Sequence, residues 1–404
     1  MTQLFKMAFR NLGRNRRRSL LSSLAVAMGL GLLILMASIV TGEMRGALEN
    51  TIKLQSGHLQ IRAASYNEDK LSLDWKYLIS DPQQLVDRLK TLPQVTVATP
   101  RLFASGIVTL GEQSRGVQVI GIDPTSSAND PFRRGLIGGQ FLTADDREGV
   151  LIGKPLADKL RMKAGDQINV LVNRSDGSVD QQLFTIRGVY TTNTAAFDEN
   201  TLFLPLGKAQ VFTGAQDHAS TILVFLRDRD QAEAVAHALT APDYQVLTWR
   251  TMNELIVQYE DFANAYMVIL YLIVLGITAT VVTNTLVMAV FERTREIGVL
   301  AAIGMKGVRI MLQFLAEAAL LATGGVVGGL IIGILAFAYF NRYGFYIGNF
   351  GISGMLMGDT IYAYLTLQSV ISLTIVTYVI TLVASLYPAI MAARLEPMEA
   401  LHAQ

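Results

Sequence analysis

The chain contains no cysteine. A domain outside the cytoplasm would therefore stand without disulfides, on its own core alone. Charge is also scarce. Only 17% of the 404 residues are Asp, Glu, Lys or Arg, against 51% apolar residues, a balance found in membrane proteins rather than soluble ones. The formal net charge of +1 leaves no footprint for nucleic acid. Catalytic motifs are missing too. Gly153-Lys154 is followed by Pro155 and Gly207-Lys208 by Ala209, so no G-x-x-x-x-G-K-[ST] loop cradles phosphates. No H-E-x-x-H and no G-x-S-x-G occurs. His58, His218, His237 and His402 are scattered without ligand spacing, and Asp145-Asp146 reads as a solvated turn. No catalytic residue, no metal site and no cofactor of its own are expected.

What the chain has in abundance is long apolar runs. Residues 1–18 carry Lys6, Arg10, Arg14, Arg16, Arg17 and Arg18 and no acid. Leu4, Phe5, Ala8, Phe9 and Leu12 recur there at helical spacing, as in a segment lying on an anionic inner leaflet. No charge occurs from Ser19 to Gly42, and Leu20–Val40 is long enough to span a bilayer. A cleaved signal peptide is the alternative. Its one weak cleavage match, Ala25-Val26-Ala27, sits inside a run too long for such a peptide. Three further runs, Phe262–Phe291, Ile310–Phe340 and Ile361–Leu386, read as spans, with Pro388 expected to end or kink the last.

Basic residues set the topology. The N-terminal cluster and Arg293, Arg295, Lys306 and Arg309 mark the cytoplasmic side. The expected fold is an α-helical four-span transmembrane domain with both termini in the cytoplasm and a large α+β domain outside, between spans 1 and 2. The expected division is 1–42, 43–261 and 262–404. In the third run Gly325, Gly329 and Gly333 fall four apart, which lets another helix backbone come close. Glu317 lies inside the same run, where a carboxylate is costly unless it snorkels or finds a partner. A buried carboxylate paired near the inner interface is the expected role. The short outside loop Asn341–Thr360 carries Tyr343, Phe345, Tyr346 and Phe350, residues that prefer the interface.

Residues 43–261 read as ordinary globular sequence. Gly42–Leu54 continues the first span as a helix, and a strand follows at His58–Ala63. Asp81 is expected as N-cap of a helix opened by Pro82. Strands are expected at Gln94–Ala98, Phe103–Leu110 and Gly116–Ile122, giving a first lobe of one helix beside several strands. A second, mostly β lobe is expected from Gly149–Ile152, Gln167–Val172, Gln182–Tyr190, Thr201–Leu204, Ser220–Phe225 and Gln245–Thr248, with a helix at Asp230–Leu239. Asn173–Asp180 reads as a hairpin turn on Asp176-Gly177.

Between the second and third runs lies Glu292–Lys306, ERTREIGVLAAIGMK. Ile297, Leu300, Ala301 and Ile303 fall on one helical face, and Gly304 offers a stop. Such a short amphipathic helix lies on a lipid surface or docks into a groove on another protein. The alternative is a loop whose arginines only fix topology.

The run from Glu292 to Leu300, with Ala302-Ile303-Gly304, resembles the coupling segment of FtsX-like ABC-transporter permeases, a family that includes MacB and the lipoprotein-releasing Lol permeases. Tyr387-Pro388, Ala392-Ala393-Arg394-Leu395, Pro397 and Glu399-Ala400-Leu401 form a second match. Ala301 stands where many members carry arginine. The resemblance implies a permease subunit in the inner membrane, with a MacB-like outside domain of two lobes. A separate cytoplasmic ATPase, two copies per complex, would hold ATP and Mg and grip Ile297, Leu300 and Ile303, with Arg295 and Glu296 at the rim. A second permease copy or paralogue, membrane lipid and a periplasmic or outer-membrane protein are the other implied partners. Gly57-His58-Leu59-Gln60-Ile61, Pro100-Arg101-Leu102-Phe103 and Gly121-Ile122-Asp123-Pro124 look closer to Lol permeases than to MacB. Lipoprotein release or extrusion of a lipid-linked substrate is the implied task. MacB-like efflux of drugs or peptides, or FtsX-like control of a cell-wall hydrolase, are the alternatives. One Lol permease holds a lipoprotein carrier with a protruding hairpin, whereas Asn173–Asp180 is short and has no proline or aromatic anchor.

Overall fold

The computed structural model describes residues 7, 8, 10, 16–66, 73–110, 113–348 and 356–395. Most of the N-terminal surface segment, Phe350 of the aromatic loop, His402 and the short Pro397–Leu401 helix lie outside them. The chain forms two compact units, one of residues 1–44, 259–345 and 361–404, the other of residues 45–258 and 346–360.

The first unit is built on four helices long and apolar enough to cross a membrane. They are α1 (Arg16–Thr51), α2 (Glu254–Glu292), α4 (Gly307–Tyr343) and α5 (Leu367–Ala393), with the short α3 (Thr294–Ala302) after α2. Val26, Leu30, Leu33 and Ile34 of α1 pack with Leu275 and Val282 of α2, Leu321 of α4 and Leu373 of α5. Along α4 the glycines set the approach. A Cβ on Gly325 would lie 2.5 Å from Val26 Cβ, one on Gly329 2.8 Å from Leu30 Cβ, and one on Gly333 2.9 Å from Ile34 Cβ. The three glycines therefore face α1, whose backbone also comes close: Ala27 O would stand 2.9 Å from the Gly329 Cβ. Backbones meet at this distance only where side chains are missing.

The start of the last span is corrected, and Pro388 does not end it. The helix starts at Leu367 rather than Ile361, and it runs through Pro388 to Ala393. Proline removes the N–H that would serve the carbonyl four residues earlier. That carbonyl, Ala384 O, accepts instead from Thr283 Oγ1 of α2 at 3.0 Å. A hydroxyl from a neighbouring helix thus satisfies the freed group, which lets proline persist inside a spanning helix.

The second unit holds a ten-stranded sheet. Its strands are β1 (Leu59–Ala63), β2 (Val95–Leu110), β3 (Gln113–Ile122), β4 (Leu136–Gly139), β5 (Gly149–Gly153), β6 (Gln167–Asn173), β7 (Val179–Tyr190), β8 (Thr201–Pro205), β9 (Thr221–Leu226) and β10 (Tyr244–Thr248). The order is β10-β1-β9-β2-β3-β8-β5-β7-β4, and β6 bridges β2 and β7. Six strands, β2-β3-β8-β5-β7-β6, therefore close into a ring without a free edge. Alternate residues build one core around Val108, Val119, Ile152, Val170, Phe184 and Leu202. Residues of the opposite face, among them Phe103, Ile120, Leu151 and Phe203, join Phe132 and Tyr190 in another.

The lobes are not divided as expected. Strands β9 and β10 and the helix Ala232–Leu239 return to β1 and the helix Pro82–Lys90, where Ile61, Val86, Val95, Val224, Val235 and Trp249 share a core. β2 belongs to both lobes: Val95–Arg101 pairs with β9, while Gly106–Thr109 pairs with β6. Asp81 precedes its helix but its side chain caps nothing, because the residue is left-handed (φ +47°) with its N–H given to Asp217 O. The hairpin turn forms on Gly177 (φ +80°), with Arg174 N bonding Ser178 O. It is tied down rather than protruding: Ser175 N donates to Thr213 O (2.8 Å) and Ser175 Oγ to Gly214 O (2.6 Å).

Candidate coupling segment

Helix α2 ends at Glu292, and Arg293 breaks the helix before α3 begins at Thr294. Thr294 Oγ1 folds back onto the Val290 and Phe291 carbonyls, and Glu296 lies in the first turn, where a negative charge suits the helix dipole. The far end closes through glycine. Gly304 takes φ +93°, its N–H bonds Ala301 O (3.0 Å), and Met305 N bonds Leu300 O (3.0 Å). This paired closure requires a left-handed residue after the helix, which glycine supplies without strain.

The two faces of α3 differ sharply. Ile297, 4% exposed, packs with Ala289 and Val290 of α2, Ile310 and Phe314 of α4, and Ala389 and Ala392 of α5. The opposite face exposes Arg295, Glu296, Ala302, Val299 (42%) and Ile303 (80%). Leu300 and Ala301 lie at the edge, half-buried. This corrects the expected docking stripe. Ile297 is enclosed by the chain's own helices, whereas Val299, outside that stripe, is exposed. Apolar residues at 297, 299, 300, 301 and 303 fit two faces of one helix. Only the ends of three other helices decide which face is inside.

Charges tie the segment to its neighbours. Arg18 Nη1 lies 2.7 Å from Glu292 Oε2, and Arg293 Nη1 lies 3.2 Å from Glu317 Oε1. Glu317 is 4% exposed, and Arg293 is largely covered too. Lone carboxylates in spans demand a partner, but Arg293, Arg295, Lys306 and Arg309 are all near in sequence. Nothing in their spacing singles out Arg293. No group of three or more His, Asp and Glu able to hold a metal ion occurs among the described residues.

Comparison with known proteins places this arrangement. Residues 19–241 match the model of the MacB-like periplasmic core domain, and residues 268–397 match that of the FtsX-like permease C-terminal domain. The chain belongs to the MacB/FtsX-like family of ABC-transporter permeases. The permease is 24% identical to the lipoprotein-releasing system transmembrane protein LolE of Haemophilus influenzae, over 94% of this chain and 93% of that protein. It is also 24% identical to the macrolide export ATP-binding/permease protein MacB of Acinetobacter baylyi, over 99% of this chain but 59% of that protein. LolC of Neisseria meningitidis serogroup B is 24% identical too, over 95% of this chain and 93% of its own length. The crystal structure of the periplasmic region of MacB from Actinobacillus actinomycetemcomitans aligns with 52% of this chain and 97% of that one, at a TM-score of 0.37 and 16% identity. The permease is thus a multi-pass membrane protein with a MacB-like domain between its first two spans.

Proposed function

We propose that this permease carries ATP-driven motion from a separate cytoplasmic ATPase, two copies per complex, to its outside domain, and that it releases or extrudes a lipid-linked substrate. The observation that carries the proposal is the exposed face of α3. Val299, Ala302 and Ile303, rimmed by Arg295 and Glu296, form a short apolar helix face of the kind that enters a groove on a partner. The 404 residues contain no phosphate-cradling loop, which supports a partner that holds ATP and Mg. Arg16–Arg18 at the start of α1, and Arg293, Arg295, Lys306 and Arg309 around α3, favour both termini inside and residues 45–258 outside, in the inner membrane. A second permease copy or paralogue completes the complex, and a periplasmic or outer-membrane protein is a further partner.

The lipid-linked substrate rests on the Lol relatives, which the alignment spans nearly end to end. MacB-like efflux keeps one specific observation in its favour: the hairpin turn 174–178 is pinned to Thr213 and Gly214 and does not project as a carrier-binding arm. Reconstitution separates the two. ATP hydrolysis by the permease–ATPase complex in proteoliposomes should rise with a diacylated lipopeptide and not with a macrolide. The opposite response favours efflux, and a rate indifferent to the permease overturns both. Orientation is checked by Asp176→Cys and Ala302→Cys in a chain that has no other cysteine. Only the first should react with an impermeant reagent in spheroplasts, and the reverse pattern contradicts the topology.

A further inference from the structure

The membrane unit holds a buried ion pair that the docking proposal does not use. Arg293 is the residue immediately before α3, and its carbonyl accepts the first hydrogen bond of that helix from Ile297 N (2.9 Å). Its guanidinium reaches Glu317 of α4. On α4 the carboxylate stands between two contacts on one broad helix face. Ile310 and Phe314 lie on the α3 side and meet Ile297. Leu321 and then Gly325, Gly329 and Gly333 lie on the other side and meet α1. The pair thus sits where the packing of α3 gives way to the packing of α1. Apolar contacts around Ile297 hold α3 against the helix ends but set no direction, because such contacts are non-directional. A hydrogen-bonded charge pair does set a direction, since its strength depends on the alignment of donor and acceptor.

We propose that Arg293 and Glu317 are positioning residues that lock the start of α3 to α4, so that displacement of α3 is passed to α4 and across the glycine face to α1. The proposal rests on the reading of α3 as the ATPase-docking helix, and its first test does not need the ATPase. The full chain in lipid nanodiscs is compared with Glu317→Gln, Arg293→Gln and the exchanged pair Arg293→Glu with Glu317→Arg. Hydrogen exchange is read at the amides of Ile297–Met305. Each single variant should speed exchange there by about tenfold or more, and the exchanged pair should restore it. Protection along Gly325–Gly333 should stay at its original level, which shows that the spans are intact. If a Gln variant fails to insert, Arg293→Lys, which keeps the charge and loses the fork, serves in its place with a smaller increase.

The second test adds the ATPase that co-purifies with the unaltered chain, with and without MgATP. The single variants should still bind it, yet MgATP should no longer change exchange along α4 and α1. Unchanged exchange at α3 in both single variants overturns the proposal, as does a nucleotide response that survives in them. An unaltered chain that binds no ATPase instead refutes the docking reading, and the exchange of α3 in the chain alone still decides the pair.

Discussion

The two units pack in opposite ways. In the membrane unit the closest approach is made where side chains are absent, with Gly325, Gly329 and Gly333 set against Val26, Leu30 and Ile34. In the outside unit the core is filled by large aromatic side chains, with Phe132, Phe184, Phe203, Phe212 and Tyr190 all fully buried. The surroundings explain the contrast. Apolar area taken from water is worth roughly 25 cal/mol per Å², so large residues drive the outside unit together. Between helices in lipid that drive is missing, and close backbone fit takes its place.

Buried cations show the same divide. Arg293 is set against a carboxylate at 3.2 Å, whereas Arg101 in the outside unit is wholly buried and held by neutral acceptors. Its Nη1 donates to Leu54 O (2.6 Å) and its Nη2 to Asn129 Oδ1 (3.4 Å). Burial pushes the Arg101 guanidinium down to about 10.

Substitutions in the two cores should therefore break in opposite directions of volume. The largest effect is expected for Phe203→Ala, which opens a cavity between Phe132 and Tyr190 and should cost about 3–5 kcal/mol. Hydrogen exchange in nanodiscs should show β8 and its neighbours losing protection while α4 keeps its own. Next comes Gly329→Leu, which adds volume where a Cβ already meets Leu30 and Ala27 O, at a cost of about 1–3 kcal/mol read as a lowered midpoint of thermal unfolding. Gly276, with nothing within 4 Å, should accept the same change without loss. A Gly329→Leu chain as stable as the original would refute the glycine face as a contact.

The smallest effect concerns His58, whose Nδ1 accepts from Leu226 N at 2.9 Å. Burial, reinforced by Arg229, holds its pKa below the ordinary 6.5. The folded state thus resists a proton that the unfolded chain takes up. Its contribution is complete above 6.5 and is lost as pH falls through the lowered folded value. His58→Asn, which keeps an acceptor and cannot charge, should flatten that slope in urea unfolding followed between about pH 5 and 7. An unchanged slope would show that His58 does not titrate with folding.

Much of the architecture is legible in the residues. Apolar runs bounded by arginine mark the spans, and the four-residue glycine spacing marks a close helix contact before its partner is known. Proline stands inside two continuous elements. The strands expected at Gln94–Ala98 and Phe103–Leu110 are one strand through Pro100, and the last span runs on past Pro388. The ladder from β2 to β3 begins only at Arg101, so at Pro100 that flank of the strand has no bond to lose. At Pro388 the freed carbonyl is served by Thr283 from another helix. Neither compensation is local, and no reading of neighbouring residues finds it. The candidate site divides likewise. The helix, its glycine stop and its charged rim follow from Thr294–Gly304 itself, while the inward turn of Ile297 and the choice of Arg293 by Glu317 depend on other helices.

The central claim is that the exposed face of α3 docks the ATPase. Ile303→Asp changes the most exposed apolar residue of that face and touches nothing in the core beneath it. The measurement is capture of the ATPase by the purified permease, together with permease-stimulated ATP hydrolysis in lipid. An apolar anchor lost from a buried interface centre should cost on the order of 2 kcal/mol of binding. We predict that both association and stimulation fall with Ile303→Asp while insertion and thermal midpoint hold. Retention of both with the charge in place would contradict the account and leave Thr294–Ala302 a loop helix that only fixes topology.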